Sequence, residues 1–381
     1  MSQRFLKVAA ALLLLAVPGL AQSQPDPAQA IALEQQGKFA ESAEAWRQVI
    51  EKNPRDAAAF ASLGVVLARL QKYPEAVTAY KNALTIDPKL PGIQLNLGLA
   101  EFKQGHFSAA IPALKAAIAE APDQTQARTL LGLSYYGDKQ FANAADTLKP
   151  VAKAQPSNAE LQQVVAQSCL WAHDYPCALD GFREILRQQP NSASAHILIG
   201  EALDGLGRTP EAIAEFQEAA KTSPQEPNVH FGLGFLYWKS HDYDKAAAEF
   251  QAELANDPKN AEAMAYLGDT ELKSGNKDKA AALLNQAIQL RGDLRFAHLD
   301  LGVLLTEEKK YPEATAALRK AIELDPNEAD AHYRLARVYQ AMGDSKQAEA
   351  EFKKVQELHQ QSDAKPVLVP NMGSGPPALP Q

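Results

Sequence analysis

Three sets of side chains in this chain of 381 residues have the types and spacing for chemistry. Cys169 and Cys177, its only two cysteines, flank the His173-Asp174 connection, each about one helical turn away. An antiparallel helical hairpin would bring them to a similar height, where an oxidising compartment lets such a pair close; two buried free thiols are the alternative. His196, His230, His298 and His332 share one register. Packed helices stand about 8–10 Å apart and metal–nitrogen bonds are about 2 Å, so successive copies cannot share an ion. No metal site is expected, and the histidines read as structural or as a pH-responsive stack. The rings of Phe231, Phe235 and Trp238 enclose Gly232 and Gly234 in FGLGFLYW. Glycines with no strand before them do not form a dinucleotide loop. No nucleophile beside a base and no other polar cluster is visible, so neither catalytic residues nor a cofactor is expected, and the chain reads as non-enzymatic.

The elements that carry these residues repeat. In YPEATAALRKAIELDPNEADAHYRLARVYQAMGD, Tyr311 to Asp344, Ala314, Leu318, Ala321 and Ile322 place an apolar stripe on one helix. Pro312 sits in its first turn, where the missing N–H costs nothing. Asp325-Pro326 stops the helix. A second helix follows with His332, Leu335, Ala336 and Tyr339 as its stripe, and Gly343 closes it. The break proline recurs at Pro54, Pro88, Pro122, Pro156, Pro190, Pro224, Pro258 and Pro326 in steps of 34, with Gly292 in the one missed slot. When each repeat is numbered so that this slot is position 32, position 8 holds Gly64, Gly98, Gly132, Gly200, Gly234, Gly268 and Gly302. Position 20 holds alanine from Ala76 to Ala348 and is expected to face those glycines. Phe39, Tyr73, Phe107, Phe141, Tyr175, Tyr243 and Tyr311 mark the turn. The repeat starting at Ala261 has Lys277 in place of the turn aromatic and precedes Gly292, so residues 290–295 are the expected hinge.

This period and these small, alanine, aromatic and proline positions resemble the tetratricopeptide repeat. The family's early tryptophan is absent, its place held by Phe60, Arg128, His196, His230, His298 and His332. The resemblance covers roughly residues 23–360. It implies an all-α, right-handed superhelical solenoid of stacked helix-turn-helix repeats, about nine full repeats plus a partial first one. It also implies a concave groove lined by the first helices, through positions 5, 9 and 12.

Along those positions the chain carries Leu95, Leu99 and Phe102, then Thr129, Leu133 and Tyr136, then Phe231, Phe235 and Trp238, with Trp171 neighbouring the same face. Large apolar side chains shown together suit an extended or helical peptide, unless the next repeat's first helix covers them. Glu201, Asp204 and Asp269 add acidic points, and Arg334 and Arg337 basic ones. The family's carboxylate clamp is not reproduced: Asn96 fills one of its slots, but Ala61, Val65, Gln126 and Leu130 flank it.

Outside the repeats, MSQRFLKVAAALLLLAVPGLA has the charged start, short apolar run and small residues of an export signal cut after Ala21. Its apolar run is too short to span a bilayer, and no membrane span is expected after cleavage. Losing Arg4 and Lys7 takes the net charge from −8 to −10, which disfavours nucleic acid. Residues 361–381, with five prolines, read as a disordered, partly polyproline-like tail. The domain plan is thus a signal at 1–21, a solenoid at 22–360 and a tail at 361–381. The expected function is an exported scaffold, periplasmic or extracellular, that holds a protein or peptide partner in its groove during cell-envelope assembly or secretion. A self-associating structural module and a carrier of glycans or lipids are the alternatives. Oligomeric state is left open.

Overall fold

The computed structural model describes residues 26–362, so the expected export segment and the tail from residue 363 lie outside it. Gln361 and Ser362, assigned above to the tail, instead close the last helix. Among the described residues every regular element is an α-helix, and these residues form two compact units that meet between Asp138 and Lys139.

The first unit runs α1 (Pro27–Gln35), α2 (Phe39–Lys52), α3 (Ala57–Arg69), α4 (Tyr73–Ile86), α5 (Ile93–Lys103), α6 (Phe107–Glu120) and α7 (Thr125–Gly137). The second opens with α8 (Phe141–Ala154), α9 (Ala159–Trp171), α10 (Tyr175–Gln188), α11 (Ala193–Gly205), α12 (Thr209–Thr222) and α13 (Val229–Lys239). It continues through α14 (Tyr243–Asn256), α15 (Ala261–Lys273), α16 (Lys277–Leu290), α17 (Arg295–Glu307), α18 (Tyr311–Leu324), α19 (Ala329–Met342) and α20 (Ser345–Ser362). In each unit, odd- and even-numbered neighbours pack as hairpins, and each hairpin packs on the next. The pattern follows from local chemistry. The proline at position 32 keeps the residue before it out of helical geometry, extended at Asp87, Asp257 and Asp325, and side chains such as Asp56, Asn158, Ser192 and Asn260 then cap the following helix by accepting a backbone N–H.

Position 8 meets a different neighbour from the one expected. The alanines of position 20 are fully buried, but the glycine notch is filled by the large side chain at position 24. A Cβ on Gly234 would lie 2.7 Å from the Phe250 ring, and one on Gly302 would lie 2.6 Å from Leu318. The hairpin α9–α10 makes the same close approach with the roles exchanged: Ala166 holds position 8, and Gly181 on the facing helix gives way to it, a Cβ there lying 2.6 Å from that of Ala166.

The expected hinge at residues 290–295 is braced. Arg291 bonds Glu262 at 2.6 Å, the His298 ring meets the Gly292 carbonyl at 3.0 Å, and Leu294 is buried. The Cys169 and Cys177 sulfurs lie at bonding distance, with Cα atoms 5.8 Å apart. Three of the four histidines reach a glutamate on the second helix of their own hairpin: His196 to Glu215 at 2.7 Å, His230 to Glu249 at 2.6 Å and His332 to Glu351 at 2.6 Å.

Candidate functional site

The start of α13 fixes the most coherent candidate site. Pro227 cannot donate to a ladder, and Asn228 is left-handed with φ 66°, so this helix begins two residues later than most of its counterparts. Asn228 supplies no side-chain cap. Glu253 of α14, itself buried, does so from outside: its carboxylate accepts the Phe231 N–H at 3.1 Å and the Asn260 amide at 3.2 Å. The rotation of α13 is thereby set, and Phe231, Phe235 and Trp238 fall on one side of it, partly exposed.

They do not stand alone. The ring of Tyr266 on α15 lies 5.8 Å from Phe231, 5.6 Å from Phe235 and 5.3 Å from Trp238, edge-on in each case. Phe296 on α17 adds a ring 4.6 Å from Tyr266. Offset and edge-to-face pairs of this kind favour a fixed arrangement over a loose apolar patch. The Trp238 indole N–H donates to Asp269, which also accepts Lys273 at 2.7 Å, and the Lys273 ammonium sits 5.4 Å from the Trp238 ring centroid. Burial, with Glu262, Asp269 and Asp300 nearby, pushes the Tyr266 phenol up to about 12. Burial first, and then the Asp269 carboxylate, push Asp300 on α17 up to about 7. Lys239 bridges α13 to Asp204 on α11 at 2.8 Å.

The remaining sequence-derived candidates are dispersed. Leu95, Leu99 and Phe102 on α5 and Leu133 on α7 are partly exposed in the first unit, with Phe102 edge-on to Phe107 at 5.5 Å. Tyr136 is a correction. Although it holds position 12 like Trp238, it is buried, and burial pushes its phenol up to about 12. Trp171 is partly buried with its ring 5.0 Å from Phe141. Tyr266, Phe296 and Asp300 did not come from the reading of positions 5, 9 and 12, because they occupy positions 2 and 6. Position 6 alone, read down the last four repeats, runs Gly232, Tyr266, Asp300, Arg334, and that change of character is the signal that marks them.

Tandem helical hairpins with a shared first-helix face define a class of repeat protein. Tetratricopeptide repeat models match residues 28–91, 95–159 and 231–294, and 305–367, and a TPR repeat model matches 205–240. The chain belongs to the tetratricopeptide repeat family. It is 39% identical over 64 residues to the type IV pilus assembly protein PilF of Pseudomonas aeruginosa, a stretch that is 17% of this chain and 25% of that protein. The chain thus spans about a quarter of this relative's length. Among solved structures, MamA is 23% identical with a TM-score of 0.40, covering 44% of this chain and 98% of its own. YrrB, described as a TPR protein with an unusual peptide-binding site, is 21% identical with a TM-score of 0.40, covering 47% and 92%. Yeast Tom70 is 16% identical with a TM-score of 0.42, covering 87% and 91%. No helix among the described residues is long and apolar enough to cross a membrane.

Proposed function

We propose that this protein is an exported, non-enzymatic scaffold that holds a protein or peptide on the first-helix face of its second unit, in the service of cell-envelope assembly or secretion. The observation that carries the reading is the aromatic face itself. Phe231, Phe235, Trp238, Tyr266 and Phe296 come from three successive first helices and remain partly exposed. Such rings supply large contact area at small entropic cost and dominate binding where they cluster. Export is supported by the first 21 residues and by a cysteine pair at bonding distance, which suits an oxidising compartment. Envelope assembly is supported by the 64-residue likeness to a pilus assembly protein. In this plan the repeats occupy residues 22–360, between an export signal and a tail. Replacing Phe235 and Trp238 with alanine is the test. Each truncation of a central aromatic costs about 2 kcal/mol or more of binding, so partner capture should fall by well over tenfold while the circular dichroism spectrum stays helical. Undiminished capture refutes the assignment of the face.

A further inference from the structure

Most of the charged groups around the aromatic face are paired within the chain, and the carboxyl of Asp300 is not. Asp204 holds Lys239 at 2.8 Å, Asp269 holds Lys273 at 2.7 Å and Glu262 holds Arg291 at 2.6 Å. Arg295 faces Glu328 at 3.5 Å, and Arg334 donates to Asp330 at 2.8 Å. The Asp300 side chain makes no hydrogen bond and no ion pair among the described residues, although it is half-buried. A carboxyl group in that position costs stability, and the fold does not require one, since position 6 of the neighbouring repeats carries Tyr266 and Arg334 instead. Phe296 lies one turn before Asp300 on the same side of α17, and Tyr266 packs against Phe296 at 4.6 Å. An unpaired acid beside an apolar aromatic wall is complementary to a long alkyl stem that ends in a cation. The chain meets that chemistry itself one repeat earlier, where the ring of Trp238 and the carboxylate of Asp269 hold the ammonium group of Lys273.

We propose that Asp300 is the selectivity point of this face and receives a lysine or arginine side chain of the bound peptide, whose stem lies on Phe296 and Tyr266. The proposal rests on the reading of the face as a peptide site and adds the chemical class of the peptide: apolar anchors with one basic residue at a fixed spacing. A cation at Asp300 favours the ionised carboxylate, so binding releases a proton. The groups that face Asp300 are Asp269 and Lys273 on α15, Arg334 on α19 and Arg295 on its own helix. Asp300, raised to about 7 by burial and then by the Asp269 carboxylate, changes charge between pH 6 and pH 8. Affinity therefore rises with pH.

The test selects phage-displayed peptides on the intact chain. Affinities of one selected peptide and its basic-residue→Ala version are then measured by calorimetry for the wild type, Asp300→Asn and Phe235→Ala, at pH 6 and pH 8. We expect a recurrent basic residue among the selected peptides. Its removal should weaken binding to the wild type by about tenfold or more, as for a desolvated charge contact, and should hardly matter to Asp300→Asn. The rise in affinity with pH should be present in the wild type and absent in Asp300→Asn. Phe235→Ala should weaken both peptides. Equal losses in wild type and Asp300→Asn, or selected peptides without a basic residue, overturn the role of Asp300 and leave the peptide face standing. If no peptide binds, or if Phe235→Ala binds like the wild type, the peptide-face reading fails and this inference falls with it. Helical circular dichroism of Asp300→Asn confirms that the variant is folded.

Discussion

At the scale of single residues, Asp300 and the histidines carry the sharpest consequences. The folded state raises the Asp300 carboxyl from its ordinary 3.8 to about 7, so the folded chain holds that proton more tightly than the unfolded chain. Stability from this group is complete below pH 3.8 and is lost as the pH rises through about 7. The unfolding free energy of Asp300→Asn should therefore gain on that of the wild type between pH 5 and pH 8, by an amount on the order of 2 kcal/mol or less. Parallel curves would contradict this. Position 23 is glutamate in three repeats only, at Glu215, Glu249 and Glu351, and each of these repeats has histidine at position 4. The fourth histidine, His298, has Ala317 at that slot and turns to the Gly292 carbonyl instead. The two positions vary together in the sequence, a correlation not used in the reading above, and the pairing gives these three histidines a place in their hairpins. His332→Ala and Glu351→Ala should each cost about 1–2 kcal/mol in chemical denaturation. The double variant should cost little more than the worse single one, because the two changes remove the same bond.

At the scale of the hairpin, close approach is enforced by a glycine notch and a large side chain four residues beyond the alanine that the sequence pattern singled out. Gly234→Ala drives a methyl group into the Phe250 ring, and overpacking of this sort costs about 1–3 kcal/mol. At Gly292→Ala the only neighbour within 4 Å is a carbonyl at 3.8 Å, and the change should be neutral or slightly stabilising. Comparing the two midpoints separates a packing glycine from a tolerated one; a large loss at Gly292 would mean that the junction is strained. The cysteine pair closes the turn of α9–α10, where the hairpin trades its position-8 glycine for Ala166 and Gly181. Mass spectrometry of the chain, kept under oxidising conditions, should find no free thiol without reductant and two with it. Reduction should lower stability by about 2.5 kcal/mol on a loop-closure estimate, and two free thiols in both samples would contradict the pairing.

At the scale of the molecule, the helical plan was legible because a single 34-residue register fixes where each helix starts, stops and meets its neighbour. The site was only half legible. Phe231, Phe235 and Trp238 were visible because their positions project from the first-helix face. Whether such a side chain stays accessible depends on what packs beside it: position 12 leaves Trp238 partly exposed and Tyr136 buried. Tyr266, Phe296 and Asp300 sit at positions that carry no stripe of their own and join the face only when α13, α15 and α17 lie side by side. The central claim is that this face holds the partner. Its most direct test is capture from the envelope fraction of the source cells by the wild-type chain, side by side with the Phe235→Ala, Trp238→Ala variant. A defined set of proteins bound by the wild type and lost by the helical, folded variant is the predicted result; the same proteins in the same amounts on both would contradict it.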